Sequence, residues 1–155
     1  MTSKLFVFQE TNILLGLDPD EFDKHIALNQ VTISRHNDNP DYWHFEGKNS
    51  DEKGLFLHPA SLLGLGKLDF SQKSYLFIKK QGEGQELSPG LLMNNFQMQI
   101  TTKKTGSKMI LPGVAKNFPK QVPKSAFRFI QRFKRKSILV IDPPALLSLA
   151  EPFSS

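Results

Sequence analysis

Apolar positions in this chain come in runs of four or five residues, broken by polar clusters, glycines and prolines. That rhythm fits many short strands better than long helices. Residues 5–8 read as a buried strand, while 11–17 fit either state. Asp18-Pro19-Asp20-Glu21 is a helix-start pattern: an Asp cap, a proline at the first position and a Glu three residues after the cap. It predicts a helix over residues 19–28 with Phe22 and Ile26 on one side. Residues 31–35 alternate as a half-buried strand. Residues 42–46 do the same, with Trp43 and Phe45 on one face and Tyr42, His44 and Glu46 on the other.

Strands are also expected at 55–57 and 75–79. A short helix should start near His58 and end at Gly64. One helical turn is expected at 91–96, then a hairpin of 96–102 with 108–111. Three prolines make 112–123 an extended loop. Residues 125–136 give the clearest amphipathic pattern, a helix with Ala126, Phe127, Phe129, Ile130 and Phe133 on its buried side. A strand at 137–141 and a last helix at 145–149 close the chain. The expected fold class is α+β: a single domain over 1–155, mainly an antiparallel curved sheet or partial barrel, with a C-terminal amphipathic basic helix.

Charge sharpens this picture. Between Glu86 and Asp142 there are eleven Lys and Arg and no Asp or Glu. The first 55 residues hold ten acids against five bases. An acidic N-terminal face (1–55) and a basic face (87–141) follow, and the second should attract polyanions. On a helix over 125–136, Lys124, Arg128, Arg132 and Arg135 share one stripe, with Lys136 at its edge. Their spacing of about 5.4 Å approaches that of successive phosphates. Lys116 and Lys120 lead into the stripe, and Lys103, Lys104 and Lys108 surround the hairpin turn. The reading is a non-catalytic nucleic-acid-binding protein, DNA or RNA, that grips the phosphate backbone as one component of a larger assembly. No zinc-finger, helix-turn-helix or stacking-sheet signature points to base reading.

Two other readings remain open. One is a small nuclease, either metal-dependent or acid/base, using the same basic face. Pro40-Asp41 with Glu46-Gly47-Lys48 resembles a metal-nuclease pattern, but only four residues separate the two carboxylates, too few to place them on adjacent strands around one ion. His44 and Glu46 share a strand face as an acid/base pair, with Arg35 near in sequence. The other reading is an adaptor whose basic face meets an acidic protein partner.

The chain has no cysteine, so disulfides and thiolate chemistry are excluded. Four histidines show no metal-ligand spacing, and neither a metal nor a cofactor is expected. Ser50-Asp51-Glu52-Lys53 sits on a turn, and Gly64-Leu65-Gly66-Lys67 lacks the rest of a phosphate loop. No apolar run approaches a membrane span, and the N-terminal run is too short for a signal peptide. An intracellular place, cytoplasmic or with the nucleoid or nucleus, is expected; residues 132–136 resemble a nuclear-localisation cluster.

Overall fold

The computed structural model describes residues 2–10, 13–35, 42–62, 64, 73–79, 87–103 and 127–148. These form two curled sheets. The first contains β1 (Thr2–Glu10), β2 (Ile13–Leu17), β9 (Phe96–Lys103), β10 (Phe127–Phe133) and β11 (Lys136–Ile141), in the order β10-β11-β2-β1-β9. The second contains β3 (Lys24–Ala27), β4 (Val31–Arg35), β5 (Tyr42–Gly47), β6 (Lys53–Leu57), β7 (Tyr75–Ile78) and β8 (Ser88–Met93), in the order β3-β7-β8-β6-β5-β4. Single 3-10 turns at Pro19–Glu21 and Leu28–Gln30 flank β3. Two short helices, α1 (Pro59–Leu62) and α2 (Pro143–Leu147), follow β6 and β11.

The period of two along each strand sorts side chains into three cores. In β1, Leu5 and Val7 join Ile100, Ile138 and Val140 on one face of the first sheet. Phe8 points the other way, into a cluster shared between the sheets with Leu15, Leu17, Leu139 and Ile141. The second sheet contributes Leu57, Phe77, Leu91 and Met93 to that cluster, and α2 adds Leu146 and Leu147. On the far face of the second sheet, Val31, Phe45, Phe56, Leu76, Ile78 and Leu92 form the third core. Phe77 is the hub between the sheets: its ring lies 6.0, 5.8 and 5.5 Å from those of Phe6, Phe8 and Phe22, within aromatic pairing range.

Two of the pairings are parallel, β11 with β2 and β6 with β8. Each brings a glycine against its neighbour. A Cβ on Gly16 would stand 2.8 Å from Ile138 Cγ2. One on Gly54 would collide with the Ser88 carbonyl oxygen and lie 2.8 Å from the Phe45 ring. Glycine is what lets these backbones approach.

The structure corrects the α+β expectation: the fold is mostly strand, and among the described residues there is no long C-terminal amphipathic helix. From 127 onward, the predicted basic helix is β10, a tight turn and the start of β11. A bulge between Phe127 and Phe129 resolves the pattern. Phe127 and Ile130 reach the inter-sheet core, while Phe133 packs on the first sheet's own core. Apolar residues that suited one helical face are thus divided between two faces of a strand, where aromatic residues pack well.

The predicted helix over 19–28 shrinks to one 3-10 turn. Its cap is as read, with the Asp20 N–H donating to Asp18 Oδ1 at 2.9 Å. The chain then extends, because Lys24–Ala27 pair antiparallel with β7. The helical turn expected at 91–96 is instead the end of β8 and the start of β9, joined through Asn94 and Asn95. The last helix falls at Pro143–Leu147 rather than 145–149, because the Asp142 side chain caps it. Residues 108–111, the expected second arm of a hairpin, lie outside the described residues.

Candidate functional site: the cationic hairpin

Of the cations expected to form one face, Lys104, Lys108, Lys116, Lys120 and Lys124 lie outside the described residues. Lys103 ends β9, where only its backbone is described. Arg128, Arg132, Arg135 and Lys136 all sit on the β10–β11 hairpin, but they do not form one stripe.

Arg128 is committed to the fold. Its guanidinium donates to both Glu21 oxygens, at 2.7 and 2.5 Å, and to Asp142 Oδ1 at 3.3 Å. Burial pulls its pKa down. The hydrogen bonds and negative charges of Glu21 and Asp142 outweigh that and hold it above the ordinary arginine value. The two-toothed pairing suits the planar guanidinium. It ties β10 to the 3-10 turn after β2 and to the cap of α2.

The other cations gather at the hairpin's tip. Phe133 pairs with Lys136, leaving a two-residue loop of Lys134 and Arg135. Both have positive φ, 46° and 66°. That is the geometry of a type I′ turn, whose twist matches the strands it joins. Such turns usually take Asn-Gly, because a side chain in the left-handed region costs about 1–2 kcal/mol per residue. Here a Lys and an Arg occupy both strained positions. The Lys134 ammonium lies 5.3 Å from the centre of the Phe133 ring. One step back, Arg132 Nη1 donates to Ser137 Oγ at 2.8 Å. Arg132, Lys134, Arg135 and Lys136 are all exposed. The ion pairs Lys24–Glu52, Arg128–Glu21 and Arg128–Asp142 do not involve the cations of the tip. Lys134 was not in the sequence-based site, since on a helix it falls outside the stripe. No turn signal marks it either.

The residues considered for catalysis divide differently. His44 and Glu46 line an open cleft of about 300 Å³ with Thr32, Ser34, Lys53 and Leu87. Arg35 is on the opposite face, its guanidinium carbon 5.5 Å from the Trp43 ring centre. The phosphate-binding cation that an acid/base nuclease needs is therefore not supplied there by Arg35. Asp41 lies outside the described residues.

No family model matches this sequence, and no curated protein matches it either. The fold does match a solved one. The scaffolding protein TtCheW from Thermoanaerobacter tengcongensis superposes with a TM-score of 0.68, over 92% of this chain and 85% of that one, at 17% identity. This likeness and the loss of the helical stripe overturn the nucleic-acid reading: among the described residues, Arg128, Arg132, Arg135 and Lys136 form no phosphate-spaced ladder. What the comparison shows is architecture: the chain has a CheW-like β-barrel fold.

Proposed function

We propose that this protein is an adaptor holding protein partners together in a larger assembly, and that its cationic hairpin tip docks on an acidic surface of one of them. The observation that carries the reading is the fold, shared with a scaffolding protein over nearly the whole chain. The tip supports the choice of surface. Four like charges crowd one turn whose backbone would be relaxed by neutral Asn-Gly, so the arrangement disfavours the free protein and gains from an opposing acidic partner. The exposed charges act on association rate and specificity more than on buried affinity.

The test is zero-length carbodiimide cross-linking, which joins lysine amines to carboxylates, in cells producing the protein. A matched strain carries Arg132→Glu, Lys134→Glu, Arg135→Glu and Lys136→Glu, checked for folding by circular dichroism. Cross-links from Lys134 or Lys136 to Asp or Glu of a second protein, and at least a tenfold weaker complex for the variant, are expected. If the variant keeps the partner at full affinity, the tip is not the docking surface. If neither protein copurifies with a stable partner, the adaptor reading fails.

A further inference from the structure

Away from the hairpin, a chain of polar side chains runs from the surface into the core where the two sheets exchange the chain. β8 belongs to the second sheet and β9 to the first, and Asn94 and Asn95 link them. Asn94 is fully buried, as is Ser74, and His58 is 1% exposed. Asn94 Nδ2 donates to Ser74 Oγ at 2.6 Å. The Asn94 side-chain oxygen is hydrogen-bonded to His58 Nε2. An amide oxygen only accepts, so Nε2 carries the proton. In the neutral ring Nδ1 is then an acceptor. Its partner is Ser61 Oγ at 2.5 Å, which must donate. Ser61 itself is exposed, on the outward side of α1.

A hydroxyl on an exposed residue, an imidazole nitrogen accepting its proton and an amide fixing that imidazole's tautomer are the three parts of an activated-serine arrangement. The chain order here is His, Ser, Asn, and the nitrogen facing the serine is Nδ1; such constellations are defined by geometry and role rather than by position. We infer that Ser61 is an activated nucleophile, with His58 as its base and Asn94 as the residue that positions His58, and that it takes acyl groups from small, electrophilic carboxylic esters.

The step balances within the molecule. Ser61 Oγ bonds to the acyl carbon while its proton moves to His58 Nδ1. His58 becomes an imidazolium that keeps Nε2–H on Asn94. The carbon–oxygen bond to the leaving alcohol breaks, and the imidazolium returns the proton to that oxygen. The products are acyl-Ser61 and an alcohol. The relay provides nucleophile and base. An activated ester carries a better leaving group than the acyl-Ser61 it forms, so acylation should outrun release, giving a stoichiometric burst rather than fast turnover.

The probe is a fluorophosphonate, followed by peptide mass spectrometry, with p-nitrophenyl acetate as the kinetic reporter. Folded wild type should label at Ser61 and release a burst of about one nitrophenolate per chain. Ser61→Ala, a change at an exposed position, should abolish both while leaving the fold intact. His58→Gln should slow labelling at least tenfold. Because that buried change could unfold the chain, wild type in urea serves as a second arm, and unfolding should remove the reactivity. Labelling that spares Ser61, or proceeds equally in urea or in folded His58→Gln, overturns the proposal.

Discussion

Arg128 shows how a residue's neighbours decide its role. In sequence it is one more cation in a basic stretch. In the fold it grips Glu21 from 107 positions away and Asp142 from 14. Arg128→Met keeps much of the aliphatic volume but strands two half-buried carboxylates. The side chain is 32% exposed, so solvent screens the pair, and a loss of about 1–2 kcal/mol in urea unfolding is expected. The pH dependence has a definite sign. A guanidinium whose folded pKa is raised contributes stability that is complete below its unfolded value and is lost only as pH climbs through the folded one. An arginine is protonated throughout the neutral and mildly basic range in either state, and the fold raises its pKa further, so Arg128's own titration should leave the wild-type-to-variant difference flat between about pH 7 and 10. A difference that shrinks over that range would mean another group is titrating. The sequence shows the cation but not its partners, because Glu21 and Arg128 are joined only by the tertiary fold. The Asp18 cap is legible for the opposite reason: its hydrogen bond spans two residues.

Element by element, legibility followed the competition between periods. β4 and β5 sit close to the predicted strands because their alternation has no helical rival, and β6 because its apolar run is short and follows a polar turn. Residues 125–136 fit both periods. Phe127, Phe129, Ile130 and Phe133 fall on one side at 100° per residue, while Phe-Arg-Phe also alternates. What separates the two is the bulge and the Lys134–Arg135 turn, and neither carries the Gly or Asn that usually marks such a turn. The turn's strain makes the element testable. Lys134→Asn with Arg135→Gly should stabilise the protein by about 1 kcal/mol, by relieving two left-handed side chains. It should also weaken the proposed acidic contact, by removing two of four exposed cations. Thermal unfolding and partner titration, run on the same double variant, should move in opposite directions. If stability and binding both improve, the tip's charge serves no docking role.

For the whole molecule, the question is whether two sheets with their own cores behave as one. The sequence shows the supply of aromatic bulk, thirteen Phe, but not its division among three clusters. That division depends on which strands pair, and β11 joins β2 from the far end of the chain. The largest cluster is the shared one, and Phe77 occupies its centre, fully buried and in ring contact with Phe6, Phe8, Phe22 and His25. Three of those four rings belong to elements outside the second sheet. Phe77→Ala should therefore cost about 3–5 kcal/mol, and the loss should be felt in both sheets. Trp43 offers a local reporter, packed on Phe56 within the second sheet's separate core, ring centres 6.4 Å apart. Amide exchange in β1 and β2 reports on the first sheet. In wild type, Trp43 fluorescence and amide protection should be lost at the same urea concentration. Phe77→Ala should shift both midpoints together, because removing the hub weakens the contact through which each sheet stabilises the other. If Trp43 reports unfolding while β1 and β2 stay protected, the sheets are separate cooperative units and the shared core only docks them.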